Sequence, residues 1–280
     1  MPPSGWFSSI TCVHSARAPR YVVPLVEGKP GPLGQGKVDA RVLINADLVG
    51  PTQASLTHLT LHRTARLALH QHPGAREILY VVSGLARLRD RAGKQVNANA
   101  GDVIALGEGE PHSLESAPLS SLTMLQFFVP AGPEHAYLDS TDRSGTLPAV
   151  KEKARPGDRA MVIPQSSAKS YSILGGRGQV TLFLDGPAGK VARASLQRIE
   201  AAAGAVIPIH THDGSDETLY ILSGEGDFTV GDLVIPVGAG NALHIPMGTK
   251  HGLRVTERLV AVQCYAPGGP EQRFKNPEKK

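Results

Sequence analysis

One stretch of this chain occurs twice. His70-Gln71-His72-Pro73-Gly74-Ala75-Arg76-Glu77 returns 140 residues later as His210-Thr211-His212-Asp213-Gly214-Ser215-Asp216-Glu217. Tyr80, Ser83 and Gly84 recur at the same offset as Tyr220, Ser223 and Gly224. Gly101, Gly109 and His112 recur at 139 as Gly240, Gly248 and His251. Gln126 and the run Pro130, Gly132, Pro133, Glu134 recur at 137 as Gln263 and Pro267, Gly269, Pro270, Glu271. So small a drift over so long a unit means two copies of one fold, so any architecture for the chain must be built twice.

Within each copy the apolar runs are short and punctuated by turn formers, with Gly at 31 and Pro at 22 of 280 residues. In the first copy, 40–48, 55–69, 78–82, 86–89, 103–106 and 121–129 read as strands, with 55–69 as one long strand or two short ones. Residues 21–26 read as an edge strand that tolerates Pro24. In the second copy, 180–184, 191–199, 218–222, 226–230, 240–245 and 259–266 read the same way. The expected fold class is all-β, a sandwich or barrel in each half. Residues 131–160 turn rich in charge, Pro and Gly. The expected division is a first barrel with its leading arm at 1–135, a linker at 136–165 and a second barrel with a basic tail at 166–280. The tail from Arg273 onward reads as solvated and frayed.

Several classes drop out on composition. Net charge is +4, but the basic residues are scattered and not interleaved with aromatics, which disfavours nucleic acid. No run approaches the ~18 apolar residues of a membrane span. The two cysteines, Cys12 and Cys264, form neither a disulfide framework nor a zinc-finger spacing. The N-terminus lacks the charged and apolar regions of a signal peptide. A cytoplasmic protein acting on a small molecule is expected.

The repeated stretch carries the chemistry. Two histidines at i and i+2 share one face of a strand, and the turn after them brings a glutamate back. With the third repeated histidine, each half assembles a candidate metal set: His70, His72, Glu77 and His112, then His210, His212, Glu217 and His251. Three neutral imidazoles and one carboxylate suit a divalent transition ion and leave coordination positions open. The lack of Cys ligands argues against a closed structural zinc site. Weaker candidates for substrate contact are Gln126 and Gln263 on the last strand of each half, His58, His244 and Arg198. His58 and His62 share a strand face, and His244 stands where the first half has Ala105. Tyr80 and Tyr220 read as core or rim, and Cys264 as buried and inert.

These motifs resemble those of the cupins, and the whole chain resembles a bicupin. The second half matches the first family motif in full through Gly204, His210, His212, Glu217 and Gly224, and the second through Gly240, Pro246, Gly248 and His251. The first half matches at His70, His72, Glu77, Gly84, Gly101, Gly109 and His112, with Thr64 in place of a glycine and Gly107 in place of the proline. The resemblance covers about 40–130 and 175–268. It implies two tandem jelly-roll barrels, each with a metal inside: Fe, Mn, Ni, Cu, Co or Zn, up to two per chain. It also implies pairing through the outer sheets as a homodimer. Cupin folds host many chemistries. The leading expectation is a dioxygenase-type oxidoreductase in which Glu77 or Glu217 shifts to act as base. A metal-dependent isomerase or lyase, and a non-catalytic metal- or ligand-binding bicupin, stand as alternatives.

Overall fold

The structure, a computed structural model, describes residues 20–33, 36–138, 160–185 and 193–275. Cys12, most of the expected linker and residues 276–280 of the tail lie outside the described residues. The first half runs β1 (Val22–Pro24), β2 (Lys29–Leu33), β3 (Val38–Ile44), helix α1 (Ala46–Val49), β4 (Ser55–Leu61), β5 (Arg66–His70), β6 (Arg76–Ser83), β7 (Leu85–Asp90), β8 (Gln95–Asn99), β9 (Val103–Leu106), β10 (His112–Ser116), β11 (Leu122–Val129) and helix α2 (His135–Leu138). The second runs β12 (Met161–Ile163), β13 (Lys169–Ile173), β14 (Gly178–Leu184), β15 (Ser195–Ala201), β16 (Val206–His210), β17 (Asp216–Val230), β18 (Leu233–Gly238), β19 (Asn241–Ile245) and β20 (His251–Ala266), then a 3-10 segment at Pro270–Lys275.

The pairing repeats as the sequence does. In the first half a sheet of order β12-β9-β6-β11-β4-β3-β2 faces a smaller one of order β5-β10-β7-β8. In the second, β1-β19-β17-β20-β15-β14-β13 corresponds to the larger sheet, and β16 and β18 flank the far ends of β20 and β17. β17 and β20 each pass through both layers unbroken, and register shifts near Ser223 mark where β17 bends. These are two antiparallel jelly-roll barrels in tandem, an all-β fold.

Each leading segment crosses to the other half. β1 pairs with β19, Val22 opposite Leu243, and β12 pairs with β9, Met161 opposite Ala105. The halves therefore exchange edge strands, each covering an edge that would otherwise expose unpaired backbone groups. β12 falls within the segment read from sequence as linker.

Strand alternation separates two environments. On β11, Leu122, Met124 and Phe128 face the first barrel's interior with Leu79, Val81 and Leu88. Leu125, Phe127 and Val129 face outward. That outer face packs against the second half's Leu196, Ala242, Val262 and Cys264, so one apolar layer is shared by both halves. Tyr80, Tyr220 and Cys264 lie in it. Burial pushes the Cys264 thiol up to about 12, which keeps it protonated.

One local expectation is corrected, and one left open between two forms is resolved. The strand expected at 40–48 stops at Ile44, because Asn45 caps α1, its side-chain oxygen accepting from the Leu48 amide at 3.1 Å. The 55–69 run is two strands, broken at a turn where Thr64 takes φ 63°. Gly204, its counterpart, takes φ 74°. The left-handed region crowds a β-branched residue. Thr64→Gly is expected to raise stability by about 1 kcal/mol, read as a urea midpoint.

Candidate metal centres

Each ligand set is delivered by the same four pieces of chain. β5 ends at His70, His72 sits in the turn that follows, Glu77 lies on β6 facing inward, and His112 opens β10 directly across from His70. The His72 carbonyl accepts from the Ala75 and Gly109 amides, which ties that turn to the loop before His112. In the second half His210 ends β16, Glu217 lies on β17, and His251 opens β20 across from His210. Each site draws its ligands from one half only. In each set one ligand atom per residue lies within 4.8 Å of every other.

The donor chemistry fits a cation. His70, His112, His210 and His251 each place Nδ1 at 2.7–2.9 Å from the carbonyl two residues earlier. An N–H there donates to that carbonyl, so the Nε2 lone pair points at the centre. Glu77 Oε2 sits 3.2 Å from His72 Nε2 and 3.0 Å from His112 Nε2. Glu217 Oε2 sits 2.9 Å from His212 Nε2 and 3.1 Å from His251 Nε2. His72 Nε2, Glu77 Oε2 and His212 Nε2 are buried with no well-formed hydrogen bond, which a divalent ion would satisfy.

Electrostatics agree. Burial alone would raise Glu77, but His112 and His72 beside it hold it well below the usual carboxylate range. Burial likewise opposes ionisation of Glu217, and His212 and His251 overcome it. Carboxylates held this low are ligands and weak bases. Burial lowers His70 to about 3 and His210 to about 4. With metal removed, the unfolded chain binds more protons than the folded one between about pH 4 and 6.5, because its rings titrate at the ordinary value. Stability therefore falls as pH falls through that window. His58 and His244, also lowered chiefly by burial, act in the same direction, and the raised His112 and His251 are protonated in both states there. The urea midpoint of chelated protein is expected to be lower at pH 4.5 than at pH 6.5.

Gln126 and Gln263 reach the centres. Gln126 Nε2 donates to Glu77 Oε1 at 2.6 Å, and Gln263 Nε2 donates to Glu217 Oε1. Each leaves the other carboxylate oxygen for the ion. Gln126→Leu or Gln263→Leu is expected to weaken metal affinity at its own site by roughly 10–100-fold, measured by competition with a chelator.

The other weak candidates lie elsewhere, because alternation turns them outward. His58 packs on Tyr220 across the seam between halves, ring centroids 5.9 Å apart. Arg198 pairs with Glu200. His244 is buried at the seam, its backbone amide donating to the Tyr21 carbonyl. His62 pairs with Asp39 at the surface. None of the four lines a metal centre, so the expectation that His58, Arg198 and His244 read a substrate there does not follow from their placement.

Arg273 and Gln197 are residues the sequence reading missed. Arg273 belongs to the packed 3-10 segment and not to a frayed tail. Its Nη2 lies 3.5 Å from His210 Nε2 and donates to the Tyr265 hydroxyl at 3.0 Å. The first half has Ala136 at the corresponding place, two residues after the glutamate that closes the shared run, and that contrast was visible in the repeat. Gln197 Nε2 donates to Gln263 Oε1 at 2.7 Å, while the first half has Thr57 there.

The two centres differ in access. His70 is 1% exposed, whereas His210 is half-buried and opens on a cavity of about 680 Å3 that also touches Glu217, His251, Gln263 and Arg273.

A family model described as the cupin domain matches residues 58–125 and again 197–276. The chain belongs to the cupin family. Its two copies make it a bicupin with two metal-binding sites, each of three histidines and one glutamate. An oxalate-binding protein of Thermotoga maritima is 29% identical over 96 residues, which span 34% of this chain and 78% of that protein. Among solved structures, the formate complex of Lactobacillus farciminis oxalate decarboxylase superposes with a TM-score of 0.67 at 18% identity, covering 90% of this bicupin and 88% of that chain. A mutant of the Bacillus subtilis oxalate decarboxylase gives 0.68 at 16% identity, covering 91% and 79%. A further structure of that enzyme, at 17% identity, with a TM-score of 0.67 and covering 91% and 79%, is described by its Mn(II) centres. At these identities the structural likeness is one of fold. Among the described residues no helix is long and apolar enough to cross a membrane.

Proposed function

We propose that this bicupin is a metal-dependent enzyme of lyase or isomerase type acting on a carboxylate-bearing small molecule, with the second barrel as its reaction chamber. The observation that carries this reading is Arg273, an exposed guanidinium that lines the cavity and lies beside the ligand set. Guanidinium groups bind carboxylates through strong charge-assisted hydrogen bonds. The names of the relatives, an oxalate-binding protein and oxalate decarboxylases, support the same ligand chemistry.

His210, His212, His251 and Glu217 would hold the ion, which supplies a Lewis acid for a carboxylate or carbonyl oxygen. Arg273 orients the substrate's carboxylate. Tyr265, protonated because burial pushes its phenol well above the ordinary value, accepts from Arg273 and fixes the guanidinium. Gln263 keeps Glu217 in place, and the apolar walls lower the local dielectric, which strengthens each of these interactions. The first centre, closed to solvent, serves structure.

The test is turnover of a carboxylate panel by the manganese-loaded chain with dissolved oxygen monitored. Substrate loss without net O2 uptake, abolished by Arg273→Gln, is expected. Uptake of O2 in proportion to substrate loss would return the dioxygenase-type reading. Retention of ligand without turnover would leave a binding protein.

A further inference from the structure

The two barrels share a fold and a ligand set, yet the second centre opens on a cavity of about 680 Å3, whereas His70 of the first is buried. The difference lies in particular side chains. Where the first barrel buries Leu61 and Met124, each at 0% exposure, the second has Ala201 and Ala261 at the same pairing positions of β15 and β20. Both alanines line the cavity. Ile199, Ile207, Leu219, Phe228, Leu243 and Leu259 supply much of the remaining wall. The space would hold roughly twenty waters at ~30 Å3 each, and lies in the ~300–1,000 Å3 range of small-molecule sites. A chamber walled this way is a poor host for oxalate, which is all carboxylate and no hydrocarbon. The cation at its metal end, Arg273, lies against the Phe274 ring, 5.1 Å from its centroid.

We propose that the second barrel binds an apolar monocarboxylate, the carboxylate against Arg273 beside the metal ligands and the hydrocarbon body in the space that Ala201 and Ala261 leave. This rests on the carboxylate reading above and adds the nature of the ligand's body. One charged end meets one guanidinium, and each buried methylene adds apolar burial that a short acid cannot provide.

The experiment is calorimetric titration of the full chain, manganese-loaded and again after chelation, with octanoate, acetate, oxalate and octan-1-ol. Octanoate is expected to bind at least about tenfold tighter than acetate or oxalate in both forms. Ala261→Met installs the first barrel's own side chain and is expected to erase that advantage while manganese content and the thermal midpoint hold. Arg273→Gln is expected to weaken octanoate about tenfold and leave octan-1-ol unchanged. Octanoate no tighter than acetate, or an advantage that survives Ala261→Met, overturns the proposal. If short acids still bind in an Arg273-dependent way, the carboxylate reading stands and only the apolar body is lost. If Arg273→Gln changes no acid at all, both fall together. Should Ala261→Met lower the thermal midpoint, Ala201→Leu provides the same test from the neighbouring strand.

Discussion

Glu217→Ala is expected to cut bound metal from two equivalents per chain to one. The second centre has one carboxylate, and its Oε2 lies within 3.1 Å of the His212 and His251 ring nitrogens. Without it, three imidazoles face a divalent charge with no anion to offset it, and Gln263 loses the acceptor that orients it. The first centre should be untouched, because all four of its ligands come from β5, the turn after it, β6 and β10. Glu77→Ala is the mirror experiment and should leave the second equivalent in place. Plasma mass spectrometry on protein purified without a chelator or a histidine tag reads both. Simultaneous emptying of the two sites in either variant would contradict centres built from separate halves.

The largest loss of stability is expected at the seam between the barrels. Phe127 is fully buried, and its neighbours include Leu56, Ile78 and Leu125 from its own half and Leu196, Val262 and Cys264 from the other. Phe127→Ala should cost about 3–5 kcal/mol, since a close-packed layer relaxes only in part around the void. The loss should appear in a urea titration followed by far-ultraviolet circular dichroism. Because the layer belongs to both halves, one cooperative transition should shift to lower urea, with no new plateau. A second transition would show that the halves melt apart. The comparison needs fixed metal concentration, as bound ions add stability by mass action.

Much of this is legible in the chain itself. The repeat names all eight ligands, because a metal set demands particular side chains at particular spacings and the chain states them twice. Gln126 and Gln263 stand out as candidates without a face, since period-2 alternation says that neighbours diverge but not which one turns inward. The same ambiguity places His58, Arg198 and His244 among substrate contacts when they face the other half. Arg273 is hidden by its surroundings: a basic, proline-flanked stretch near the chain's end looks like a solvated tail. Only the packing of the Pro270–Lys275 turn against His210 and Tyr265 shows otherwise. The cavity cannot be read from either half alone. It depends on two alanines whose meaning appears when Leu61 and Met124 are set opposite them.

The exchange of β1 and β12 bears on ancestry and on protein engineering. A polypeptide consisting of one repeat would carry an arm that its own sheet cannot use and an edge that its own arm cannot cover. Two such polypeptides, trading arms, would close both edges with the hydrogen bonds seen here. The tandem chain is thus a symmetric dimer written into one gene. Within one chain the two copies are free to differ, and they do: the second carries Ala201 and Ala261 where the first carries Leu61 and Met124. Cutting the chain between its halves should therefore give fragments that are sticky apart and reassemble when mixed.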